Sequence, residues 1–275
     1  MSTGEGKGMD RRGFLRLAGL GALSAAAVPA GWDLLKPGAA LAAGAGAPVA
    51  GRRYAMVVDA RTGCPDGCRD CIGACNTTHN IPTFADEPDP RRHELKWIWQ
   101  TSFHSAFPGN EQEFAREDLE SKQVTVLCNH CQNPPCVRVC PTKATYQRPD
   151  GIVMMDFHRC IGCRFCMAGC PYGSRSFNWR DPWPRNAATG EPAKLPNPEY
   201  PTRMRGVVEK CTFCSERLDR GLQPACVEAC KEKLLVFGDL HDAGSGVRAL
   251  LKEHYTIRRK ANLGTQPQVY YVIGA

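Results

Sequence analysis

Long hydrophobic runs are missing from this 275-residue sequence. One mildly apolar run, residues 17–30, is rich in Gly and Ala, and no later stretch reaches the length of a membrane-spanning helix. A membrane-spanning helix needs about 18 or more predominantly apolar residues. The sequence therefore predicts a mature protein that does not itself span a membrane.

Leu, Ile, Val and Phe are modest in number and aromatic residues make up only 8% of the chain, while Gly (27) and Pro (21) are frequent. A core built only from aliphatic packing is therefore not expected, and loops should dominate. The length suits one large or two small domains.

The chain is rich in cysteine. Its sixteen cysteines form four groups of four, and none is left over. Groups one to four are, in order, Cys64, Cys68, Cys71, Cys75; Cys128, Cys131, Cys136, Cys140; Cys160, Cys163, Cys166, Cys170; and Cys211, Cys214, Cys226, Cys230.

Group three, "CIGCRFCMAGCP", has the C-x2-C-x2-C-x3-C-P spacing of bacterial two-cluster ferredoxins. In that arrangement three thiolates in a short loop hold one iron–sulfur cubane and the fourth reaches a second cubane. We expect the fourth cysteine to begin a helix that leads away. One such group requires a partner group, so four groups predict two pairs.

Other uses of clustered cysteines are less compatible with this spacing. Repeated C-x2-C would strain disulfides, and redox-active C-x-x-C thiols do not come in fours. Group four, taken alone, is equally compatible with a four-thiolate zinc ribbon. A structural zinc protein therefore stays open as an alternative, as does an oxidoreductase with its own substrate.

The N-terminus contains Arg11 and Arg12 ahead of the mildly apolar run, and Ala40-Leu41-Ala42 offers a cleavage site. This pattern predicts a twin-arginine (Tat) signal peptide over residues 1–42, although Asp10 occupies a position usually taken by Ser or Thr. Tat-type export carries folded proteins, so metal centres can be built before export. The expected location is the periplasm.

Short strands are predicted at 144–147 and 152–155, joined by a turn at Asp150-Gly151, and also at 54–58 and 206–208. A helix is predicted near 246–255. Other candidate residues near the cysteines are expected to lie outside the ligand set or in solvent. They are His79, His104, His130, His158, Arg69, Arg138, Arg164 and Lys210. The tryptophans Trp97, Trp99, Trp179 and Trp183 are expected to pack in the core.

The order of the groups and the segment "CNHCQNPPC…CP" resemble the four-cluster iron–sulfur subunits that accompany molybdopterin oxidoreductases and quinone-interacting membrane complexes, the NrfC-like family. The resemblance covers residues 53–239. It implies an α+β fold of two interleaved ferredoxin-like modules, each with two 4Fe–4S clusters, and loop-rich insertions. The implied segments are an outer module (53–127 plus 205–240), an inner module (128–180), a Pro-rich loop (181–204) and a C-terminal extension (241–275).

The same resemblance implies which cysteines share a cluster, and thus four 4Fe–4S clusters. The implied sets are, first, Cys64, Cys68, Cys71 and Cys230; second, Cys75, Cys211, Cys214 and Cys226; third, Cys128, Cys131, Cys136 and Cys170; and fourth, Cys140, Cys160, Cys163 and Cys166. Cys64 departs from the family pattern, because three residues instead of two separate it from Cys68.

Within this family the chain most resembles the periplasmic O-type subunits of sulfite-reductase-linked (DsrMKJOP) complexes. That likeness implies single-electron relay between a multihaem cytochrome c subunit and a quinone-interacting membrane subunit, in sulfur-compound respiration or oxidation. The alternative is the electron-transfer subunit of a periplasmic molybdopterin oxidoreductase. No catalytic acid, base or nucleophile is predicted.

The formal net charge of +7 does not indicate nucleic acid as a partner. Four clusters held by deprotonated thiols would add about −8 and leave the protein near neutral. The sequence also lacks a basic patch interleaved with aromatic residues.

Overall fold

The computed structural model describes residues 51–84, 89–108, 122–183, 189–191 and 193–274. The predicted signal peptide, with Arg11 and Arg12, lies outside the described residues.

The described elements are short and alternate between strands and helices. The strands are β1 (Tyr54–Asp59), β2 (Ile98–Ser102), β3 (Gln123–Leu127), β4 (Thr145–Gln147), β5 (Val153–Met155), β6 (Ser176–Phe177), β7 (Val208–Glu209), β8 (Leu235–Asp239), β9 (Thr256–Ile257) and β10 (Val269–Val272). The α-helices are α1 (Asp70–Thr78), α2 (Phe103–Ala106), α3 (Pro135–Arg138), α4 (Phe165–Ala168), α5 (Ser215–Leu218), α6 (Ala225–Ala229) and α7 (Gly246–Glu253), and 3-10 turns cover Pro90–His93 and Ala261–Leu263. This mixture agrees with the expected α+β class.

The largest sheet has the strand order β8-β1-β10-β9. Strand β1 pairs antiparallel with β8 and parallel with β10, so strands from the two ends of the described chain lie side by side. Met56 and Val58 of β1 face the main core, which also contains cysteines, while Ala55 and Val57 pack with Val247 of α7. The residues expected to be a C-terminal extension therefore contribute strand β10 beside the central β1.

Three of the cysteine groups end in the same local structure. The fourth cysteine follows a helical turn and accepts, at its carbonyl, a hydrogen bond from the N–H three residues later, at Lys143, Gly173 and Lys233. Each of these three residues has a positive φ, of 57°, 63° and 53° respectively. Strands β4, β6 and β8 begin two or three residues further on. The groups are thus copies of one helix–cysteine–turn–strand unit.

The expectation that the fourth cysteine begins a helix is wrong. Helices α3, α4 and α6 end at or before the residue preceding Cys140, Cys170 and Cys230, and Cys75 lies inside α1. Cys140 and Cys170 each precede a proline, whose ring disfavours helical backbone at the residue before it. In groups two, three and four the third cysteine, not the fourth, lies within the helix.

The predicted hairpin at 144–155 is confirmed. Strands β4 and β5 pair antiparallel, and the turn is closed by hydrogen bonds between Arg148 and both Gly151 and Ile152. The strand before group one runs one residue further than predicted, β7 begins two residues later than predicted, and α7 ends at Glu253. The hairpin β2–β3 was not predicted.

The described part of the Pro-rich segment contains neither helix nor strand. It is anchored to the end of α1 through Asn80, whose amide nitrogen donates to the carbonyls of Asn197 and Tyr200. The indole N–H of Trp183 donates to the Asn80 carbonyl at 2.7 Å. Hydrogen bonds therefore hold the described part of this segment against the residues that follow α1.

No helix in the described ranges combines the length and the apolar character needed to cross a membrane.

Strand β10 yields a stability prediction, because Tyr271 is fully buried and lies edge-on to Phe107 with ring centroids 4.9 Å apart. We expect Tyr271→Ala to cost about 3–5 kcal/mol, as for other large core truncations. The exposed Tyr255→Ala should stay within about 0.5 kcal/mol of wild type. Thermal unfolding followed by circular dichroism under anaerobic conditions, at one scan rate, checks both. Equal midpoints for the two variants would contradict the central position of β10.

Candidate functional site

All sixteen cysteines lie within the described residues, and none forms a disulfide. Helix α1 of group one packs against α6 of group four, and α3 of group two packs against α4 of group three. The fold therefore brings groups one and four together, and groups two and three together, although the first two are far apart in sequence.

The thiols of groups one and four are intermixed. The Cys71 thiol is influenced by the charges of Cys64, Cys230 and Cys68, and burial with these neighbours raises its pKa to about 11. Cys75 is surrounded by a second set of thiols from group four, and burial raises its pKa well above the usual value. These neighbours of Cys75 are Cys211, Cys226 and Cys214.

Cys64 lies with its expected neighbours despite its unusual spacing. Gly67 has φ +74°, a conformation that favours glycine, and the Cys68 N–H donates to the Pro65 carbonyl across the loop. The Cys64 sulfur lies 3.3 Å from the Thr125 hydroxyl of β3. The longer loop therefore closes without displacing Cys64 from Cys71.

A cavity between groups two and three is lined by three group-two cysteines and one group-three cysteine. These cysteines are Cys128, Cys131, Cys136 and Cys170. Burial beside Cys128 raises the pKa of Cys131 to about 12.

The other cysteines of groups two and three do not line this cavity. Cys140, Cys160 and Cys166 pack in one small apolar cluster with Cys136, while Cys163 is exposed. Burial acts to raise the pKa of Cys140, but hydrogen bonds from the Thr145 N–H and from Thr142 outweigh it and lower that pKa.

This donor set fits iron–sulfur clusters. Sets of mutually close, buried thiols with raised pKa values lose their protons when a metal is bound, because the metal compensates the negative charge. Backbone N–H groups already point at sulfur atoms, from Phe213 to Cys211 and from Ala225 to Cys214, each at 3.4 Å. Such bonds favour the anionic sulfur of a ligated cysteine.

Two buried cations lie beside these thiols. Lys210 is fully buried, and its ammonium donates to the carbonyls of Cys211 and Val153. Burial lowers its pKa, while the charges of Cys128 and Cys211 act in the opposite direction. The expectation of a solvated Lys210 is wrong, because its side chain runs inward from the end of β7 to the carbonyl of β5. Arg69, Arg138 and Arg164 are exposed, as expected.

Arg175 is the second buried cation, and it was not predicted. It lines the cavity of Cys128 and Cys131, and its guanidinium donates to the Thr145 hydroxyl. Burial acts to lower the pKa of Arg175, but the charges of Cys136, Cys166 and Cys128 raise it overall. Its neighbours Ser174 and Ser176 give the segment a polar character, so no local pattern distinguishes Arg175 from a surface arginine.

The four histidines divide between core and surface. His79 is buried, with Nε2 2.9 Å from Glu216 Oε1 and Nδ1 3.6 Å from the Cys75 sulfur. His130 is buried and stacks on Phe213, and burial together with Lys210 and Arg175 lowers its pKa well below the usual value. His130 Nδ1 accepts from the Val153 N–H, so the ring is neutral. His104 and His158 are exposed.

A buried polar network lies next to group four and was also not predicted. Arg203 and Glu209 are both fully buried and form a salt bridge of 2.6 Å. Glu209 also accepts from the Trp97 indole and from Asn178. Trp97 therefore packs in the core, as expected, but with a specific polar partner, whereas Trp179 is exposed.

The loop of group three is held by a close backbone approach. A Cβ atom at Gly162 would collide with the Gly206 carbonyl oxygen, and Gly162 has φ +69°. Only glycine suits this position. The contact fixes the Cys160–Cys163 loop against the residues that lead into β7 and Lys210.

Comparison with known proteins agrees with this chemistry. A family model described as "4Fe-4S dicluster domain" matches residues 120–188 and 192–240. The chain is 41% identical over 242 residues to the "Hdr-like menaquinol oxidoreductase iron-sulfur subunit 1" of Archaeoglobus fulgidus, covering 80% of this chain and 83% of that relative.

Two further relatives have similar coverage. The iron–sulfur subunit of a putative dimethyl sulfoxide reductase from Halobacterium salinarum is 39% identical, over 80% of this chain and 79% of its own length. A polypeptide of the polysulfide reductase from Wolinella succinogenes is 40% identical, over 80% of this chain and 94% of its own length.

The buried Arg203–Glu209 pair yields a second stability prediction. Removing one partner leaves an uncompensated buried charge, so Arg203→Met should cost about 3–5 kcal/mol. The matched control is Arg220→Met, because Arg220 pairs with Glu199 in an exposed salt bridge that contributes less than about 1 kcal/mol. Urea unfolding midpoints of the two variants check this. A midpoint for Arg203→Met as high as that of the control would sink the idea that the pair is a fixed part of the core.

Proposed function

This protein belongs to the family of 4Fe–4S iron–sulfur electron-transfer subunits, and from this premise we propose that it relays single electrons through four 4Fe–4S clusters. The electrons would pass between a cytochrome c partner and a quinone-interacting membrane subunit. The observation that carries the proposal is the proximity of cysteines from different groups, with Cys71 and Cys75 near cysteines of group four and Cys170 lining one cavity with three cysteines of group two.

Each cluster, when bound, would supply reversible one-electron chemistry. The residues proposed to hold the clusters are the four implied sets of cysteines. Their thiols also connect one set to the next. Cys71 of the first set is near Cys75 of the second, Cys211 of the second is near Cys128 of the third, and Cys136 of the third is near Cys166 of the fourth. These charge interactions support a continuous row of four proposed sites.

The two ends of the proposed row differ in their surroundings. The first set lies near Arg69, Asp70 and Lys231, an exposed charged surface with a Lys231–Asp70 salt bridge of 3.0 Å. At the other end Cys163 is flanked by Ile161 and Phe165, which are 66% and 61% exposed. Val139 and Trp179, from neighbouring segments, are also exposed.

We assign this apolar end, defined by Ile161, Cys163 and Phe165, to docking of the membrane subunit. Large apolar side chains exposed together mark interaction sites in soluble domains. The similarity to a menaquinol oxidoreductase subunit supports a quinone-linked partner. The charged end would then face the cytochrome c partner, whose contact is transient and electrostatic.

The proposed location is the periplasm, attached to the cytoplasmic membrane through the complex, and its support is the twin-arginine pattern of residues 1–42. The proposed process is sulfur-compound respiration or oxidation, supported by the resemblance to sulfite-reductase-linked complexes and by the similarity to a polysulfide reductase.

The second candidate is the electron-transfer subunit of a periplasmic molybdopterin oxidoreductase. The similarity to the iron–sulfur subunit of a putative dimethyl sulfoxide reductase favours it. Both candidate functions assign electron transfer to the row of thiol sets, so the identity of the partner subunits distinguishes between them.

The metal content of the native complex tests the proposal. We expect about 16 cluster irons per chain, with haem c and without molybdenum, in complex purified anaerobically from membranes in mild detergent. Stoichiometric molybdenum without haem c would select the second candidate. Zinc in place of iron would overturn the electron-transfer proposal.

Cys163→Ser should lower both iron content and yield, because bound clusters contribute folding free energy.

The docking assignment is tested on the same complex. We expect Ile161→Ser combined with Phe165→Ser to weaken association with the membrane subunit about tenfold or more, since buried aromatic and aliphatic anchors dominate interface energies. Iron content should stay at the wild-type value. The matched control is Leu222→Ser combined with Tyr255→Ser, two exposed apolar residues outside the docking surface defined by Ile161, Cys163 and Phe165. Co-purification yield after a salt and detergent wash measures the effect, and equal loss in both double variants argues against the assignment.

A further inference from the structure

Lys210 and Arg175 are buried without a carboxylate partner. Neither forms a salt bridge within the part of the chain that the structure describes, and Lys210 has only the carbonyls of Val153 and Cys211 as hydrogen-bond acceptors there. One guanidinium nitrogen of Arg175, Nη2, has no partner among the described residues. An isolated buried charge is costly, so both cations require negative charge nearby.

Unlike Lys210 and Arg175, the buried Arg203 has a carboxylate partner. Arg203 lies close by in sequence and is equally buried, but Glu209 neutralises it directly. Lys210 is the next residue after Glu209, yet its ammonium does not use that carboxylate and donates to the carbonyls of Val153 and Cys211 instead. Glu209 thus neutralises Arg203, whereas Lys210 and Arg175, the two buried cations beside the cysteines of groups two, three and four, would be neutralised by ligated sulfur.

Both unpaired cations lie at one place in the proposed row. Val153, whose carbonyl accepts from Lys210, lines the same cavity as Arg175 and the thiols of Cys128 and Cys131. On its other side Lys210 contacts the carbonyl of Cys211, a member of the second set. The cations therefore flank the step from the second set to the third, where the two modules would meet.

We propose that Lys210 and Arg175 are built-in countercharges that raise the reduction potential of the third site, held by Cys128, Cys131, Cys136 and Cys170, above the potentials of the end sites. This inference rests on the proposed function. One electron arriving at a site makes it more negative by one charge, with no bond or proton transferred. A buried cation stabilises that state more than a solvated one does, because water and salt screen it less.

The test is a redox titration of the native complex followed by electron paramagnetic resonance. In Lys210→Met we expect the reduced-to-oxidised ratio of at least one site to fall at least tenfold at a fixed solution potential, which corresponds to about 59 mV for a one-electron couple. Arg175→Gln should change the same site in the same direction. Lys210→Arg, which keeps the charge, should restore most of the ratio.

The matched control is Arg159→Met. Arg159 is also one residue away from a cysteine, Cys160, but it is exposed, so its removal should change every ratio less than about twofold. Wild-type iron content with unchanged potentials in Lys210→Met and Arg175→Gln would overturn the inference and leave the proposed function intact. Absence of iron–sulfur signals in the wild type would overturn the proposed function itself.

Iron incorporation into the same variants provides a second test of the inference. If Lys210→Met and Arg175→Gln fail to incorporate iron while Lys210→Arg and Arg175→Lys incorporate it fully, the positive charge is required and the inference is supported. If the charge-retaining variants fail equally, the side-chain shape is what matters and the countercharge role is rejected.

Discussion

The close burial of thiols from four cysteine groups is the constraint on which the rest of the structure depends. Thiols packed in this way resist ionisation, since burial and neighbouring sulfur atoms both raise the pKa, as at Cys75 and Cys131. A site that holds a cluster requires, in contrast, cysteines that are stable as deprotonated thiolates. The fold supplies part of the compensation through N–H groups directed at sulfur and through the buried cations Lys210 and Arg175. Metal binding would supply the remainder.

The same constraint explains why so few regular elements are needed. Most of the described helices have four or five residues, too short to be stable alone in water. Several are closed by a cysteine and a turn that leads into a short strand, so the local structure depends on what the cysteines bind. Strands β1 and β10 then join distant parts of the chain near the thiol sets. The apolar core is correspondingly mixed, with Met56, Leu127 and Trp97 packed among cysteines.

Features with a local physical cause were predictable, and features that depend on long-range packing were not. Cysteine spacing and turn residues indicated the groups and the β4–β5 hairpin, because both are set within a few residues. The position of β10 depends on pairing with β1 from the other end of the described chain, which no local pattern contains. The burial of Lys210 and Arg175 was missed for a similar reason. Their negative neighbours come largely from other groups, so both resemble ordinary surface cations in sequence.

A relay needs recognition only at its ends, and the distribution of polar groups follows this logic. Between the proposed ends, the described residues place thiols, cations and amides in the interior. The exposed apolar side chains Ile161 and Phe165 lie beside Cys163, whereas the surface near Cys68 is charged. A stable contact and a transient contact require different surfaces. Burial of apolar side chains lengthens the lifetime of a complex, whereas complementary charge raises its association rate. In the proposed relay, the asymmetry of the two ends fits a subunit with one permanent and one exchanging partner.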